Sequence, residues 1–105
     1  IPGTEKTYRA DLVLLAMGFV GSERGGMLDQ LGVPLDRFGN VETNCDRRTP
    51  VPKVYAAGDQ ARGQSLIVWA IAEGRRVAHT IDRDLMGSTT LPRPLKFGND
   101  RRPFC

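Results

Sequence analysis

The chain has 105 residues, 40% hydrophobic and 26% charged, with a net charge of +3. That length suits one small domain and not two, and the longest apolar run, Leu66 to Ala72, falls far short of the roughly 20 residues that cross a bilayer, which argues against a membrane span. The basic excess gathers at the end in Arg93, Lys96, Arg101 and Arg102, with only Phe97 and Phe104 nearby; this pattern reads as a solvated tail and not as a nucleic-acid face.

Cys45 and Cys105 form no C-x-x-C pair, and with His79 as the single histidine they complete no metal site. Free thiols are the expectation, hence a cytoplasmic location; a disulfide through Cys105 is the open alternative, without support in the sequence.

Ile1-Pro2-Gly3-Thr4 reads as a turn inside a longer sequence, so a fragment is expected. Asp11-Leu-Val-Leu-Leu-Ala16 is a continuous apolar run of the kind that forms a strand covered on both faces. Met27 to Leu31 is one helical turn stopped by Gly32. A turn at Phe38-Gly39-Asn40 precedes a brief strand at Val41–Thr43, and Asn44 to Pro52 is loop.

Val54–Ala57 is the second strand candidate, closed by Gly58 and Asp59. After a loop through Gly63, Ser65 is a good N-cap residue, and the longest helix is predicted from there to about Leu85. Leu66, Ala70, Gly74, Val77, Ala78, Ile81 and Leu85 share one face at helical spacing, while Glu73, Arg76, His79, Thr80 and Arg83 fall largely elsewhere. The first two turns, apolar nearly all round, should be buried. Gly87 is the expected stop. The segment 88–105, with Pro92, Pro94 and Pro103, reads as an extended or disordered basic tail behind a domain over 1–87.

A buried strand that ends in Gly-Asp just before a helix places ligand-binding groups at the carboxyl edge of a sheet. Gly58 allows close backbone approach. Asp59, when ionised, only accepts hydrogen bonds and so suits polyol hydroxyls. The helix start exposes unpaired N–H groups and about half a positive charge, which can stabilise an anionic ligand atom. The same pattern also fits an Asp that merely caps a turn beside a helix that merely packs.

Thr49-Pro-Val-Pro-Lys-Val-Tyr-Ala-Ala-Gly-Asp59 resembles the T-x-x-P-x-V-Y-A-x-G-D segment of two-dinucleotide-fold flavoproteins, the thioredoxin reductase and glutathione reductase class. Arg62-Gly-Gln-Ser-Leu-Ile-Val-Trp-Ala-Ile-Ala-Glu-Gly-Arg75 and Asp11-Leu-Val-Leu-Leu-Ala-Met-Gly-Phe19 look more narrowly like the small subunit of NADPH-dependent glutamate synthase. The resemblance runs from about Thr7 to Leu95. It implies an α/β fold, part of a Rossmann-like FAD/NAD(P)-binding domain with few strands and one long C-terminal helix. It also implies that Gly18, Gly58, Asp59, Gln64, Ser65 and Leu66 face the cofactor: Asp59 on the ribityl chain, and the backbone of Gln64, Ser65 and Leu66 toward the pyrimidine end of the flavin.

The implied activity is electron transfer from NADPH to FAD in service of glutamate synthesis, beside a glutamate synthase large subunit. No catalytic acid, base or nucleophile is named. The family often has Gly where Lys53 stands, and no G-x-G-x-x-G occurs in this chain. The isolated chain is therefore expected to bind no FAD or NADPH tightly, and the rival reading is a catalytically silent module that forms a homodimer or larger through uncovered strands. Trp69 is expected in a core or interface and His79 at the surface without a partner. Arg62 reads equally as a loop residue or a phosphate contact, and Glu73 with Arg76 as an ordinary helical ion pair.

Overall fold

Three helices and two isolated antiparallel bridges organise the described residues of the computed structural model, residues 1–94. The helices are α1 (Met27–Leu31), α2 (Asp59–Arg62) and α3 (Ile67–Met86). The turn expected at the start is present: the Thr4 N–H and hydroxyl both donate to the Ile1 carbonyl. The run Leu12–Ala16 takes no helical form and pairs with no strand among the described residues, and its leucines are largely exposed. A strand covered on both faces needs neighbours to hydrogen-bond and to pack on, and no described residue supplies them.

The helix α1 ends where the sequence places its end. Gly32 adopts φ 64°, its N–H donates to the Asp29 carbonyl, and the Val33 N–H reaches back to Leu28. These two bonds form the Schellman arrangement, in which the residue after the glycine packs on the last turn. Leu28 and Val33 do so, and with Val41 they form the small apolar core, flanked by Leu35, Val51, Val54 and Ala56. Asp36 ties the next turn: its carboxylate accepts the N–H groups of Phe38 and Asn40, and Leu35 pairs with Val41 in a single bridge.

Val54–Ala57 forms a minimal pairing and not a ladder. Tyr55 bridges Arg48, the Ala56 N–H donates to the Arg47 carbonyl, and the Thr49 N–H to the Val54 carbonyl. Pro52 and Lys53 occupy the centre of the connecting turn, closed by the Val54 N–H on the Val51 carbonyl. Lys53 has φ 65°. Proline followed by a left-handed residue is the type II turn, whose third position favours glycine, which explains the departure noted at this position.

Two further expectations change. The loop after Gly58 contains α2, one short turn whose amide groups bond back to the carbonyls of Gly58 and Asp59. The helix α3 begins at Ile67, not Ser65, because Leu66 is extended (φ −69°, ψ 147°) and acts as the N-cap without any side-chain cap. Gly87 ends the helix in the left-handed region as expected.

The inward face of α3 is centred on a polar stripe and only partly coincides with the expected apolar face, of which Ala70, Val77 and Ile81 are half-buried. Glu73, Arg76 and Thr80, at i, i+3 and i+7, are its buried residues, whereas Leu66, Ile67, Val68, Ile71 and Leu85 are exposed, as are Gly74 and Ala78. Ion pairing with the loop below determines which side faces in, and nothing among the described residues covers the apolar side. Cys45 is disulfide-bonded and not the free thiol expected. Cys105, Lys96, Arg101 and Arg102 lie outside the described residues, as does most of the expected tail. Its described start folds back on the domain: Arg93 bonds Asp46 at 2.8 Å, and the Leu91 carbonyl meets His79 Nδ1 at 2.7 Å.

Candidate functional site

A groove of about 270 Å³ runs between the 19–22 segment on one side and Asn40, Asp59, Gln60, Gly63 and Gln64 on the other. Its walls come from three distant parts of the chain. The 19–22 segment rests on the Asp36–Asn40 turn, where the Ser22 N–H donates to the Gly39 carbonyl. The 59–64 wall is fixed to the core through Val41, whose N–H donates to the Gln60 carbonyl at 2.8 Å. Asp59 is exposed, opens α2 and lines the groove.

Of the residues singled out in the sequence, the structure brings Gly18, Asp59 and Gln64 to one place. The Gln64 carboxamide donates to the Phe19 carbonyl. Gly18 has φ 83°, and a Cβ added there would collide with the Gln64 side chain, whose Cδ and Nε2 would lie at 3.0 and 3.1 Å. The left-handed conformation favours glycine at 18, and a side chain there would displace the exposed Gln64 carboxamide. Gly58 stands behind Asp59: it is buried at φ 67°, and its N–H is committed to Glu73 Oε2 at 2.9 Å. It shapes the turn and has no amide free for a ligand. Ser65 and Leu66 do not line the groove. They are exposed and lead into α3, whose first turn carries neither a side-chain cap nor an acidic residue. A 20-residue helix thus presents an uncapped positive end beside the groove-forming segment.

The residue that the sequence reading missed is Glu73. It is 3% exposed and accepts from Arg47 Nη2 at 2.5 Å, Arg62 Nε at 2.7 Å and the Gly58 N–H at 2.9 Å. This single carboxylate joins α3, α2, the 44–49 loop and the Gly-Asp turn, so it sets where Asp59 sits. A burial requirement for Glu73 was visible only as its stripe with Arg76 and Thr80; the partners Arg47 and Arg62 are 26 and 11 residues away in sequence. Arg62 is not a free loop residue. Held by Glu73, its guanidinium lies 4.7 Å over the half-buried Trp69 ring.

A second polar network clamps the other end of α3. Arg48 forks onto Asp84 (2.8 and 2.5 Å), which also accepts the Tyr55 hydroxyl at 2.7 Å. Hydrogen bonds from Arg48 and Tyr55 hold the Asp84 carboxyl down at about 2, and the same Asp84 contact pushes the Tyr55 phenol up. Asp46 accepts from Arg48, Arg83 and Arg93. Burial pushes its carboxyl up, but the Arg83 hydrogen bond and the charges of Arg93, Arg83 and Arg48 outweigh this, and the net shift is downward. Among the described residues no group of three or more His, Cys, Asp or Glu is placed to hold a metal ion, and no helix is long and apolar enough to cross a membrane.

Residues 1–74 match the family described as pyridine nucleotide-disulphide oxidoreductase. Over 96 residues, 91% of this chain and 20% of the relative, the sequence is 58% identical to the glutamate synthase [NADPH] small chain of Mycobacterium tuberculosis (strain H37Rv). It is 51% identical over 92 residues to the protein of the same name from Bacillus subtilis (strain 168), covering 88% of this chain and 18% of that one. A more distant relative, the Escherichia coli (strain K12) putative oxidoreductase AegA, is 39% identical over 87 residues, 77% of this chain and 13% of its own length. The chain therefore spans about a fifth of the length of the glutamate synthase small chains it matches.

Proposed function

Because the chain belongs to the pyridine nucleotide-disulphide oxidoreductase family and is glutamate synthase small-chain-like, we propose that it forms one wall of an FAD site in an enzyme that moves electrons from NADPH to FAD for glutamate synthesis. The observation that carries this reading is the groove in which Asp59, Gln64 and the Gly18–Phe19 turn converge. Its volume is below the roughly 300–1,000 Å³ of a full small-molecule site, so it fits a segment of FAD and not the whole cofactor. The Asp59 carboxylate, the three carboxamides of Asn40, Gln60 and Gln64, the Ser22 hydroxyl and apolar Phe19 and Val20 suit a polyol chain that emerges from an aromatic ring.

In this reading Asp59 accepts hydrogen bonds from ribityl hydroxyls, and Gly58 holds Asp59 in place through its bond to Glu73. Gly18 leaves room for Gln64, which closes the end of the groove. The start of α3, reached through Ser65 and Leu66, turns its uncapped N–H groups and partial positive charge toward the pyrimidine edge. FAD, when bound, supplies the redox chemistry; these residues orient it and favour its anionic reduced form. A glutamate synthase large subunit as partner and a cytoplasmic location follow from the same kinship and belong to the proposal.

Flavin fluorescence during FAD titration tests the reading. The complete protein should bind FAD, with Asp59→Ala weakening affinity about tenfold or more, while this chain alone should bind weakly or not at all. Equal affinity of the Asp59→Ala protein would overturn the assignment. A second reading has its own observation: Leu12 to Val20 and the apolar side of α3 are exposed. On that basis the isolated chain, without cofactor, associates with copies of itself through these surfaces.

A further inference from the structure

The groove contains a polar side chain that neither the sequence motifs nor the kinship assigns. Asn40 is only 9% exposed, lines the groove opposite the 19–22 segment, and its carboxamide makes no hydrogen bond with the described residues. Its backbone, by contrast, is fixed from both sides: the N–H donates to the Asp36 carboxylate at 3.0 Å, and the carbonyl accepts the Asp36 N–H at 2.7 Å. The Asn40 carboxamide is not among the fully enclosed polar atoms of the described residues that lack a partner, so its unbonded atoms reach the groove surface. A Cβ at Gly63, where φ is 84°, would meet Asn40 Oδ1 at 3.4 Å and Nδ2 at 3.5 Å, ordinary van der Waals distances. The left-handed conformation favours glycine at 63.

We propose that Asn40 is a direct ligand contact, pairing its carboxamide with a hydroxyl of the same polyhydroxyl segment that Asp59 holds. The two residues divide the work by chemistry. Asp59 only accepts, and so fixes a hydroxyl that donates. The Asn40 carboxamide both donates and accepts, and so serves an adjacent hydroxyl in either sense. The fixed Asp36 turn holds Asn40 in place before the ligand arrives, which limits the ordering cost of binding. The inference rests on the FAD reading above for the identity of the polyol.

Two measurements test it. In denaturant unfolding without FAD, Asn40→Leu should keep the wild-type midpoint or raise it, because an apolar side chain of similar size replaces an unpaired polar one. A clear fall in midpoint would mark Asn40 as a structural residue and overturn the proposal. In FAD titration of the complete protein, Asn40→Ala should weaken binding about tenfold. If Asp59→Ala weakens binding and Asn40→Ala does not, the Asn40 inference fails alone. If neither variant differs from wild type, or the wild type binds no FAD, the FAD reading fails and takes this inference with it.

Discussion

The two sides of α3 were built on opposite principles. The back, Glu73, Arg76 and Thr80, is charged or polar and buried; the front, Ile67, Val68 and Ile71, is apolar and exposed. Usually an amphipathic helix buries its apolar stripe. Here the charged stripe faces in because one carboxylate, Glu73, has three specific partners across the chain. The lesson is that directional pairing has fixed the helix on its bed, while the non-directional apolar side has no described surface to meet. The back positions the candidate site, and the front has no role within the described residues.

The most severe way to break this contrast is to remove Glu73. In Glu73→Leu, Arg47, itself 1% exposed, keeps its buried charge without this carboxylate. Losing one partner of a buried pair costs about 3–5 kcal/mol, and urea unfolding should show a loss of that size. Combining it with Arg47→Met removes both charges and should recover a large part. A loss below about 1 kcal/mol for the single change would mean that Glu73 does not hold the back face.

Acid should weaken the far clamp next. The Asp84 carboxyl sits at about 2 in the folded chain, below the roughly 3.9 of an unfolded aspartate. A lowered value stabilises the fold above the unfolded value, and that contribution disappears as pH falls from about 4 to about 2. Asp46, also lowered, acts in the same direction. Denaturant midpoints taken from pH 5 to pH 2 should fall across this window, and Asp84→Asn should flatten the fall. An equal slope in the variant would remove Asp84 as a source. At the alkaline end Tyr55 has the opposite sign: its phenol is raised, so its contribution holds below about pH 10 and is lost above.

How much of this was legible depends on the range of each signal. The helix α1 and its Gly32 stop, the Asp36–Asn40 turn and the end of α3 at Gly87 were readable because they rest on near neighbours. Asp59 was readable from its place between a strand candidate and a helix, Gly18 and Gln64 came from the family resemblance, and the structure brings the three together. The buried face of α3 was only partly readable, because periodicity finds half-buried Ala70, Val77 and Ile81 but cannot show that Arg47 and Arg62 wait for Glu73. Leu12–Ala16 has strand composition, but strands depend on partners that composition does not supply. His79 looked partnerless because the carbonyl it meets, Leu91, follows the helix.

A smaller effect is expected at Lys53, in the turn that leads into the Gly-Asp segment. Its φ of 65° is left-handed, which disfavours a residue with a Cβ by roughly 1–2 kcal/mol, while glycine gives back about 0.5–1 kcal/mol through the unfolded chain. Lys53→Gly should therefore stabilise by about 0.5–1 kcal/mol, read as a higher thermal midpoint. A lower midpoint would show that the lysine side chain has a compensating role.

The front face should give the smallest change in stability and the clearest contrast with Glu73. Ile71 is 58% exposed, so Ile71→Lys removes little burial and places a good helix former on a solvated face. Unfolding free energy should stay within about 0.5 kcal/mol of wild type, although the substitution lies in the same helix as Glu73. Association is where this residue would act: if copies of the chain meet through the apolar side, light scattering should report a lower mass for Ile71→Lys than for wild type at equal concentration. A large loss of stability with unchanged mass would reverse the assignment of the two sides, because the apolar face would then be holding the fold.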